Sequence, residues 1–221
     1  GGMGAFSPSI EIDAGLQRRI MESAIEPAIR GMAAEGTPYR GVLYAGMMLT
    51  ERGPMVLEFN ARFGDPETQV LMPRLENDLV PMLMAASGAG AGLREIAAQI
   101  RWRAQWAACV VLASPGYPEA AVTGHRIRGL EMAKKVPGTV VFHAGTGRER
   151  DDSLREGIVT AGGRVLAVSS LGRDLGEALR RGDCGVACIA FEGMQFRRDI
   201  GGTALLRLAA RGGGAGGGMT S

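Results

Sequence analysis

The sequence contains few cysteine, histidine and aromatic residues. Its 221 residues include three cysteines, two histidines and only 5% Phe, Trp and Tyr. Cys109, Cys184 and Cys188 are odd in number and form no Cys-x-x-Cys pair, which argues against a disulfide framework and against a zinc site of the usual spacing. We therefore expect three reduced thiols that are buried as small apolar side chains.

The sequence also lacks an excess of charge of one sign and any long apolar run. Its 25 basic and 23 acidic residues give a formal net charge of +2, without the basic, aromatic-rich face that nucleic-acid binding requires. No apolar run reaches the length of a membrane span, and no signal-peptide pattern opens the chain. These absences predict a cytoplasmic protein with neither nucleic acid nor membrane as a partner. They leave the oligomeric state open, with a monomer as our expectation.

What the sequence does contain is ample apolar material for a core, 46% of its residues. A composition shift at residues 88–92, which read GAGAG, marks a domain boundary. We predict a first domain at residues 1–88, a linker at 89–98, a β-rich domain at 99–210 and a disordered glycine-rich tail at 211–221.

Residue spacing predicts a helix and a hairpin before that boundary. Asp13 is a suitable N-cap, and apolar residues at every fourth position predict an amphipathic helix up to Gly36 that Pro27 bends. Two apolar runs, at residues 41–50 and 55–60, flank a short loop containing Gly and Pro. This arrangement is typical of an antiparallel hairpin.

Beyond the boundary, short runs rich in Val and Ile predict strands. Ala161, Gly162 and Gly163 separate two of these runs and predict a tight hairpin between them. Residues 174–189 keep a rough helical spacing, but each glycine in the interior of a helix costs about 1 kcal/mol relative to Ala. We therefore expect a marginal helix there.

The stretch LEFNARFGDPETQ, residues 57–69, carries the candidate chemistry. Alternate residues of a strand share a face, so we predict Glu58, Asn60 and Arg62 on one face and the apolar residues between them on the other. Carboxylate and amide oxygens are ligands that Mg²⁺ prefers, and a guanidinium on the same face can hold a second anion. The pattern alone also allows an exposed strand edge with ordinary polar residues.

A longer stretch around this motif, GVLYAGMMLTERGPMVLEFNARFGDPETQVLMPRLENDL, resembles the closing part of the ATP-grasp domain of the glycinamide ribonucleotide synthetase family, the phosphoribosylamine–glycine ligases. The resemblance continues upstream in GGMGAFSP and IEPAIRGMAAEG. Downstream it includes CVVLASPGYP, FHAGT, GGRVLAVSSLG and FEGMQFRRDIGGTAL, so that it covers nearly all of residues 1–210. It implies an α+β fold, in which the C-terminal half of an ATP-grasp domain is followed by a small β-rich C-terminal domain.

The resemblance implies an ATP-dependent carbon–nitrogen ligase of purine biosynthesis. The implied small-molecule partners are ATP, glycine and 5-phosphoribosylamine, with glycyl phosphate as the intermediate. Mg²⁺ or Mn²⁺ is the implied metal, held by Glu58 and Asn60 on the ATP phosphates. Arg62 completes this implied cofactor-binding set and, as a catalytic residue, lies beside the acyl phosphate.

The resemblance also implies substrate contacts outside that set. Asp65 and Glu67 are implied to orient the amine substrate or to accept its proton, with Asp65 as the second catalytic residue. The residues alone leave another interpretation open, in which Asp65 caps the following helix and Glu67 stabilises its first turn. Gly1, Gly2 and Met3 are implied to line the substrate site.

Four further interpretations complete the expectations. Because the chain opens without Met inside a glycine-rich loop, we interpret it as a fragment that does not turn over alone. The resemblance implies that the half of the ATP-grasp site that binds adenine precedes it. Another ATP-grasp ligase, or a non-catalytic binding module built on the β-rich half, remains as an alternative function. His143 is interpreted as a structural histidine, and Arg197 with Asp199 as a surface ion pair.

Overall fold

The computed structural model describes residues 2–90, 92–150 and 156–213. In chain order, its strands and helices are β1 (Gly4–Ser7), α1 (Ala14–Ile20), α2 (Glu26–Ala34), β2 (Tyr44–Thr50), β3 (Gly53–Asn60), α3 (Thr68–Leu71), α4 (Leu79–Ser87), α5 (Leu93–Ala98), β4 (Trp106–Ala113), α6 (Leu130–Ala133), β5 (Thr139–His143), β6 (Thr146–Arg150), β7 (Glu156–Thr160), β8 (Arg164–Gly172), α7 (Leu175–Cys188) and α8 (Gly202–Gly213). Within these ranges, no helix is both long and apolar enough to cross a membrane.

The described residues belong to two compact units. The first, called the sheet unit, takes its residues from Gly1–Pro8, Asp65–Arg74 and Arg103–Ser221. The second, called the hairpin unit, takes its residues from Ser9–Gly64 and Leu75–Trp102. Each unit is therefore built from separate segments of the sequence.

The predicted domain boundaries stay predictions. Within the predicted linker and tail, the structure shows helical residues. Within residues 89–98, Leu93–Ala98 forms α5 of the hairpin unit, and the chain enters the last segment of the sheet unit at Arg103. Helix α8 extends to Gly213, so the first residues of the predicted tail are helical. Residues 214–221 lie outside the described residues.

Local sequence signals account for the hairpin unit. Asp13 caps α1 as predicted, because its carboxylate accepts a hydrogen bond of 2.7 Å from the Leu16 N–H. Where a bend at Pro27 is predicted, a π-helical turn, Met21–Ile25, directly precedes α2, and Pro27 lies in the first turn of α2, where a proline is tolerated. The bend itself stays a prediction. Strands β2 and β3 pair antiparallel, which confirms the predicted hairpin.

The sheet unit is built on a four-stranded antiparallel sheet with the strand order β1-β4-β8-β5. The central strands β4 and β8 are buried along almost their whole length, so both of their faces are covered. In β4, Val110 and Leu112 join the apolar cluster that includes α7, whereas Cys109 and Val111 join a second cluster with Val70 of α3. Each fully buried Val or Leu contributes roughly 1.5–3 kcal/mol to stability.

The three cysteines differ in their surroundings. All three are free thiols, as predicted. Cys109 is buried, and this burial raises the pKa of its thiol to about 12. Cys188 is half-buried and Cys184 is exposed, so the expectation of buried thiols is right for Cys109 and wrong for Cys184. Cys184 lies on the solvent side of α7, which only the orientation of the helix decides.

Helix α7 forms in the folded sheet unit, although its glycines make it a poor helix candidate on its own. It runs without interruption from Leu175 to Cys188, and its N-cap Asp174 accepts a hydrogen bond of 2.7 Å from the Glu177 N–H. Two of its glycines, Gly182 and Gly185, face the sheet: a Cβ at Gly185 would lie 2.9 Å from a methyl group of Val168. The glycines that weaken the isolated helix therefore allow it to approach β8 closely, and the packing gained there outweighs their low propensity.

The tight hairpin predicted at residues 161–163 is wrong. Strand β7 pairs with β6 in a separate two-stranded sheet, whereas β8 pairs with β4 and β5. Residues 161–163 instead carry the chain from one sheet to the other, and the Ser114 N–H donates a hydrogen bond of 2.8 Å to the Gly163 carbonyl. Adjacent glycines predict a turn, but they do not determine which strands pair.

Replacing Gly129 with Ala is expected to destabilise the protein by about 2–4 kcal/mol. Gly129 has a φ of +83°, and a Cβ at this position would lie 1.8 Å from the carbonyl oxygen of Cys188. The variant therefore combines backbone strain with a collision against the end of α7. Urea denaturation followed by circular dichroism measures the loss.

Gly124 offers a matched control for this variant. Its φ is +91°, but a Cβ there would meet no atom within 4 Å. Replacement of Gly124 by Ala should therefore introduce backbone strain alone, with a loss of about 1 kcal/mol. Equal losses for the two variants would contradict the close packing of Gly129 on Cys188.

Candidate functional site

The predicted polar face lies at the end of β3 in the hairpin unit. A register shift in the β2–β3 pair leaves Leu57 without a paired residue and brings Gly46 opposite Glu58. A Cβ at Gly46 would lie 3.1 Å from the Glu58 Cγ, so the glycine leaves space for that side chain. The bulge and the glycine together determine where the Glu58 carboxylate lies.

Hydrogen bonds join Glu58, Asn60 and Arg62 into a row. The Asn60 Nδ2 donates to the Glu58 Oε1 at 2.9 Å, and the Arg62 Nη2 donates to the Asn60 Oδ1 at 3.0 Å. The Arg62 Nη1 also donates to the backbone carbonyl of Phe63 at 2.7 Å, which holds the guanidinium in place. The three side chains thus share a face, as the alternation predicts, while the roles given to them stay predictions.

This row is accessible, and so is the face behind it. Glu58 and Arg62 are exposed, and Asn60 is half-buried. On the apolar side of the strand, Leu57 is 64% exposed and Phe59 is 42% exposed. Neighbouring apolar side chains at such exposure are typical of an interaction surface.

Glu58 and Asn60 fit a divalent cation by the chemistry of their oxygens. A carboxylate and an amide can supply the one or two protein oxygens that Mg²⁺ usually takes beside phosphates and water, and here the carboxylate is exposed and the amide half-buried. The hydrogen-bonding pattern decides which end of the Asn60 amide faces Glu58. Among the described residues, no group of three or more His, Cys, Asp and Glu side chains forms a metal cluster. The chemistry of the pair thus fits a divalent cation that takes only one or two ligands from the protein.

Asp65 and Glu67 lie in the sheet unit, before and at the start of α3. Both carboxylate oxygens of Asp65 are hydrogen-bonded: Oδ1 accepts from the Gln69 Nε2 at 2.9 Å, and Oδ2 accepts from the Arg164 Nη2 at 2.8 Å. The interpretation of Asp65 as the helix cap is wrong, because the N-cap residue is Glu67 and its side chain forms no capping bond. Asp65 instead ties the loop to a side chain of β8.

Arg164 is the residue that sequence reasoning missed. It is the first residue of β8, and its side chain is 22% exposed. Its Nη1 donates to the backbone carbonyl of Asp65 at 2.9 Å and to that of Gly2 at 3.1 Å. An arginine at the start of an apolar strand has to find acceptors near the core, and this was the available signal. The acceptors are 99 and 162 positions away in the sequence, so spacing does not identify them.

Gly2 and Met3 lie in the same unit, beside the turn at residues 65–67, which we call the Asp65 loop. A Cβ at Gly2 would lie 2.7 Å from the Cδ of Pro66, so the glycine permits this contact. The Met3 carbonyl accepts a hydrogen bond of 3.0 Å from the Val111 N–H, and the Met3 side chain packs against the second apolar cluster. Gly1 lies outside the described residues. The substrate-binding roles of these residues stay predictions.

The remaining motif residues have structural partners. The His143 Nδ1 lies 3.1 Å from the Thr146 Oγ1, consistent with a structural histidine. Arg197 and Asp199 form the predicted exposed ion pair, in which the Arg197 Nε donates to the Asp199 Oδ1 at 2.7 Å. The hydrogen bond from Arg197 lowers the pKa of the Asp199 carboxyl.

Comparison with known proteins gives two family matches and several relatives. "Phosphoribosylglycinamide synthetase, ATP-grasp (A) domain" matches residues 1–68, and "Phosphoribosylglycinamide synthetase, C domain" matches residues 107–203. Phosphoribosylamine–glycine ligase of Caulobacter vibrioides is 48% identical over 205 residues, which are 93% of this chain and 46% of the relative. The chloroplastic phosphoribosylamine–glycine ligase of Arabidopsis thaliana is 46% identical over 209 residues, or 93% of this chain and 38% of the relative. The chain spans about half the length of such relatives, or less.

A solved structure agrees with these matches. The crystal structure of phosphoribosylamine–glycine ligase from Thermotoga maritima has a TM-score of 0.72 and 33% sequence identity, and covers 90% of this chain and 46% of that one. The family matches follow in the order expected from the resemblance, a portion of an ATP-grasp domain and then the C domain. The chain therefore belongs to the phosphoribosylglycinamide synthetase family.

Proposed function

We propose that this chain is part of an ATP-dependent ligase that joins glycine to 5-phosphoribosylamine in purine biosynthesis. The reaction gives glycinamide ribonucleotide, ADP and phosphate, with glycyl phosphate as the intermediate. The observation that carries the proposal is the hydrogen-bonded row of Glu58, Asn60 and Arg62 on an exposed strand end, within the residues that match the ATP-grasp domain. The substrates are those printed in the names of the relatives, phosphoribosylamine and glycine.

In this proposal, Glu58 and Asn60 hold a Mg²⁺ or Mn²⁺ ion. When bound there, such a cation would supply positive charge that offsets the negative charge of the ATP phosphates. Glu58 contributes a charged oxygen and Asn60 a neutral one, and both are accessible to a nucleotide. No covalent bond to the enzyme is required, so positioning and charge neutralisation supply most of the rate.

Arg62 is assigned to the acyl phosphate. A guanidinium stays charged across the physiological pH range and binds oxyanions through pairs of N–H groups. The bonds from Arg62 to the Phe63 carbonyl and to Asn60 hold this group before any substrate binds, which supports its assignment to a charge that develops during the reaction.

Asp65 and Glu67 are assigned to the amine substrate. The amine has to be oriented toward the acyl phosphate and loses a proton as it attacks, and a carboxylate can serve both purposes. Asp65 is held in one orientation by two hydrogen bonds, which supports its role in orienting the amine. Gly2 and Met3 lie beside this loop and are assigned to the lining of the same substrate region.

The proposed enzyme acts on small molecules only. The near balance of 25 basic and 23 acidic residues supports small molecules rather than nucleic acid as partners, and a monomeric cytoplasmic enzyme stays our expectation. The Arabidopsis thaliana relative is named as chloroplastic, so the compartment differs among relatives.

The test uses a reconstituted ligase, defined as this chain joined in one polypeptide to the part of the Caulobacter vibrioides relative that it does not match. ADP release is measured with ATP, Mg²⁺, glycine and 5-phosphoribosylamine generated in the assay. We expect turnover that requires all four components, and no turnover from the 221-residue chain alone.

Each other outcome has a distinct meaning. ADP release with another amino acid, and not with glycine, would support a different ATP-grasp ligase. An inactive reconstituted ligase beside an active Caulobacter vibrioides enzyme would contradict the proposed function. Turnover by the 221-residue chain alone would contradict its interpretation as a fragment.

A further inference from the structure

The guanidinium of Arg164 binds two segments of the sheet unit that carry proposed substrate residues. Its Nη2 donates to the Asp65 Oδ2 at 2.8 Å, and its Nη1 donates to the carbonyls of Asp65 at 2.9 Å and Gly2 at 3.1 Å. The Arg164 side chain therefore contacts both the carboxylate and the backbone carbonyl of Asp65. It also contacts the backbone of the first segment of the chain, at Gly2.

The backbone of Arg164 is fixed by the central sheet. It is paired with Ala113 in β4, and its carbonyl accepts a hydrogen bond of 3.0 Å from the Gly145 N–H. The preceding Gly163 is packed against a tyrosine ring, since a Cβ there would lie 2.4 Å from the Tyr117 Cδ2. The guanidinium is thus held by a buried strand and not by a mobile surface loop, and its side chain is only 22% exposed.

The other contacts of Asp65 and Pro66 differ in kind from the bonds of Arg164. The second carboxylate oxygen accepts from Gln69, which belongs to the same segment and so does not tie the loop to the sheet. The contact between Pro66 and Gly2 fits the two segments together but is apolar and not directional. Arg164 therefore supplies a directional link between the Asp65 loop, the first segment and β8.

We propose that Arg164 is a positioning residue of the ligase, which holds the Asp65 carboxylate and the Gly2 segment in the one arrangement that presents them to the amine substrate. This inference rests on the proposed function. An arginine is needed because its planar fork donates to a carboxylate and to carbonyls at the same time, whereas a lysine ammonium is a single point of charge.

The first test uses the 221-residue chain and does not depend on activity. Hydrogen–deuterium exchange is compared for the unmodified chain, Arg164→Gln and Arg173→Gln. Arg173 is a matched control in the same unit, since it also pairs with a carboxylate, that of Glu177, but at 84% exposure. We expect peptides from residues 65–71 to exchange about tenfold faster in Arg164→Gln only, with β4 unchanged. Unchanged exchange at residues 65–71 would overturn the proposal.

The second test measures kinetics of the reconstituted ligase. We expect Arg164→Gln to lower kcat/KM for 5-phosphoribosylamine about 30-fold, because a misplaced substrate group costs rate steeply, and to change KM for ATP less than about twofold. Arg164→Lys keeps the charge, so its kcat/KM for 5-phosphoribosylamine should lie between the values of Arg164→Gln and the unmodified ligase. An equal loss of kcat/KM for 5-phosphoribosylamine and for ATP would indicate that Arg164 supports the structure in general. That result would overturn a positioning role.

A double-mutant cycle separates action through Asp65 from an independent effect. If Arg164 acts through Asp65, Arg164→Gln should lower kcat/KM by less than about twofold in a protein that already carries Asp65→Ala. Independent, multiplicative losses would overturn the proposal. If the unmodified ligase is active and the Arg164 variants have unchanged kinetic parameters, this inference alone is refuted. If the unmodified ligase is inactive, the proposed function is refuted, and the exchange experiment still decides whether Arg164 holds the loop.

Discussion

Replacing Glu58 with Gln in the reconstituted ligase is expected to lower kcat/KM for the Mg²⁺ complex of ATP by about 1,000-fold, the loss typical of removing one charged or polar group from a reacting phosphate or oxyanion site. Gln keeps the size of Glu and can still accept the hydrogen bond from the Asn60 Nδ2, which is 2.9 Å long in the structure. The variant therefore removes a negative charge from the cation site with little change in shape. ADP release measured over a range of Mg²⁺ concentrations tests the prediction.

Glu51 provides the matched control for this variant. It is an exposed carboxylate in the turn between β2 and β3, on the same hairpin. Glu51→Gln removes the same charge from the same element and should leave kcat/KM within about twofold of the unmodified value. An unchanged Mg²⁺ dependence in Glu58→Gln would refute the cation-binding role and would favour a binding module without ligase activity.

Replacing Arg62 with Lys is expected to lower kcat by about 100-fold while KM for ATP changes little, because the interaction is assigned to the acyl phosphate and not to bound ATP. The guanidinium holds the Phe63 carbonyl and the Asn60 amide at 2.7 and 3.0 Å and still presents N–H groups to a substrate. A lysine ammonium cannot keep this geometry. Trapping of glycyl phosphate with hydroxylamine, in the absence of amine substrate, measures the affected step directly.

Arg52 is the control for the arginine variant. It lies in the exposed turn of the same hairpin, and Arg52→Lys preserves charge there as Arg62→Lys does at the strand end. We expect Arg52→Lys to be within about twofold of the unmodified ligase. If Arg62→Lys traps as much hydroxamate as the unmodified ligase, Arg62 does not act on the acyl phosphate.

Much of the hairpin unit could be predicted from short stretches of sequence. The Asp13 cap depends on a residue three positions away, and Asp78 caps α4 by accepting from the Val80 N–H at 2.9 Å, two positions away. The β2–β3 hairpin joins neighbouring segments through a short loop. Interactions within a few positions are visible in the residue order, so the elements built on them are predictable.

The polar face of the candidate site was predictable for the same reason. Glu58, Asn60 and Arg62 are two positions apart, and strand geometry alone places them on one side. The register shift that brings Gly46 opposite Glu58 was not predictable, because it depends on how two strands settle against each other. The residues of the site were therefore available from the sequence, but the space around them was not.

The sequence by itself determined the local elements, the apolar strands of the core and the row of polar side chains at the end of β3. Only the tertiary structure decided that glycines strengthen the packing of α7, that β7 turns away from β8, and that Arg164 holds the Asp65 loop. Each of these depends on partners distant in the sequence. Helix propensity, turn composition and residue spacing describe a residue and its near neighbours, whereas packing and hydrogen bonding across the sheet depend on the whole fold.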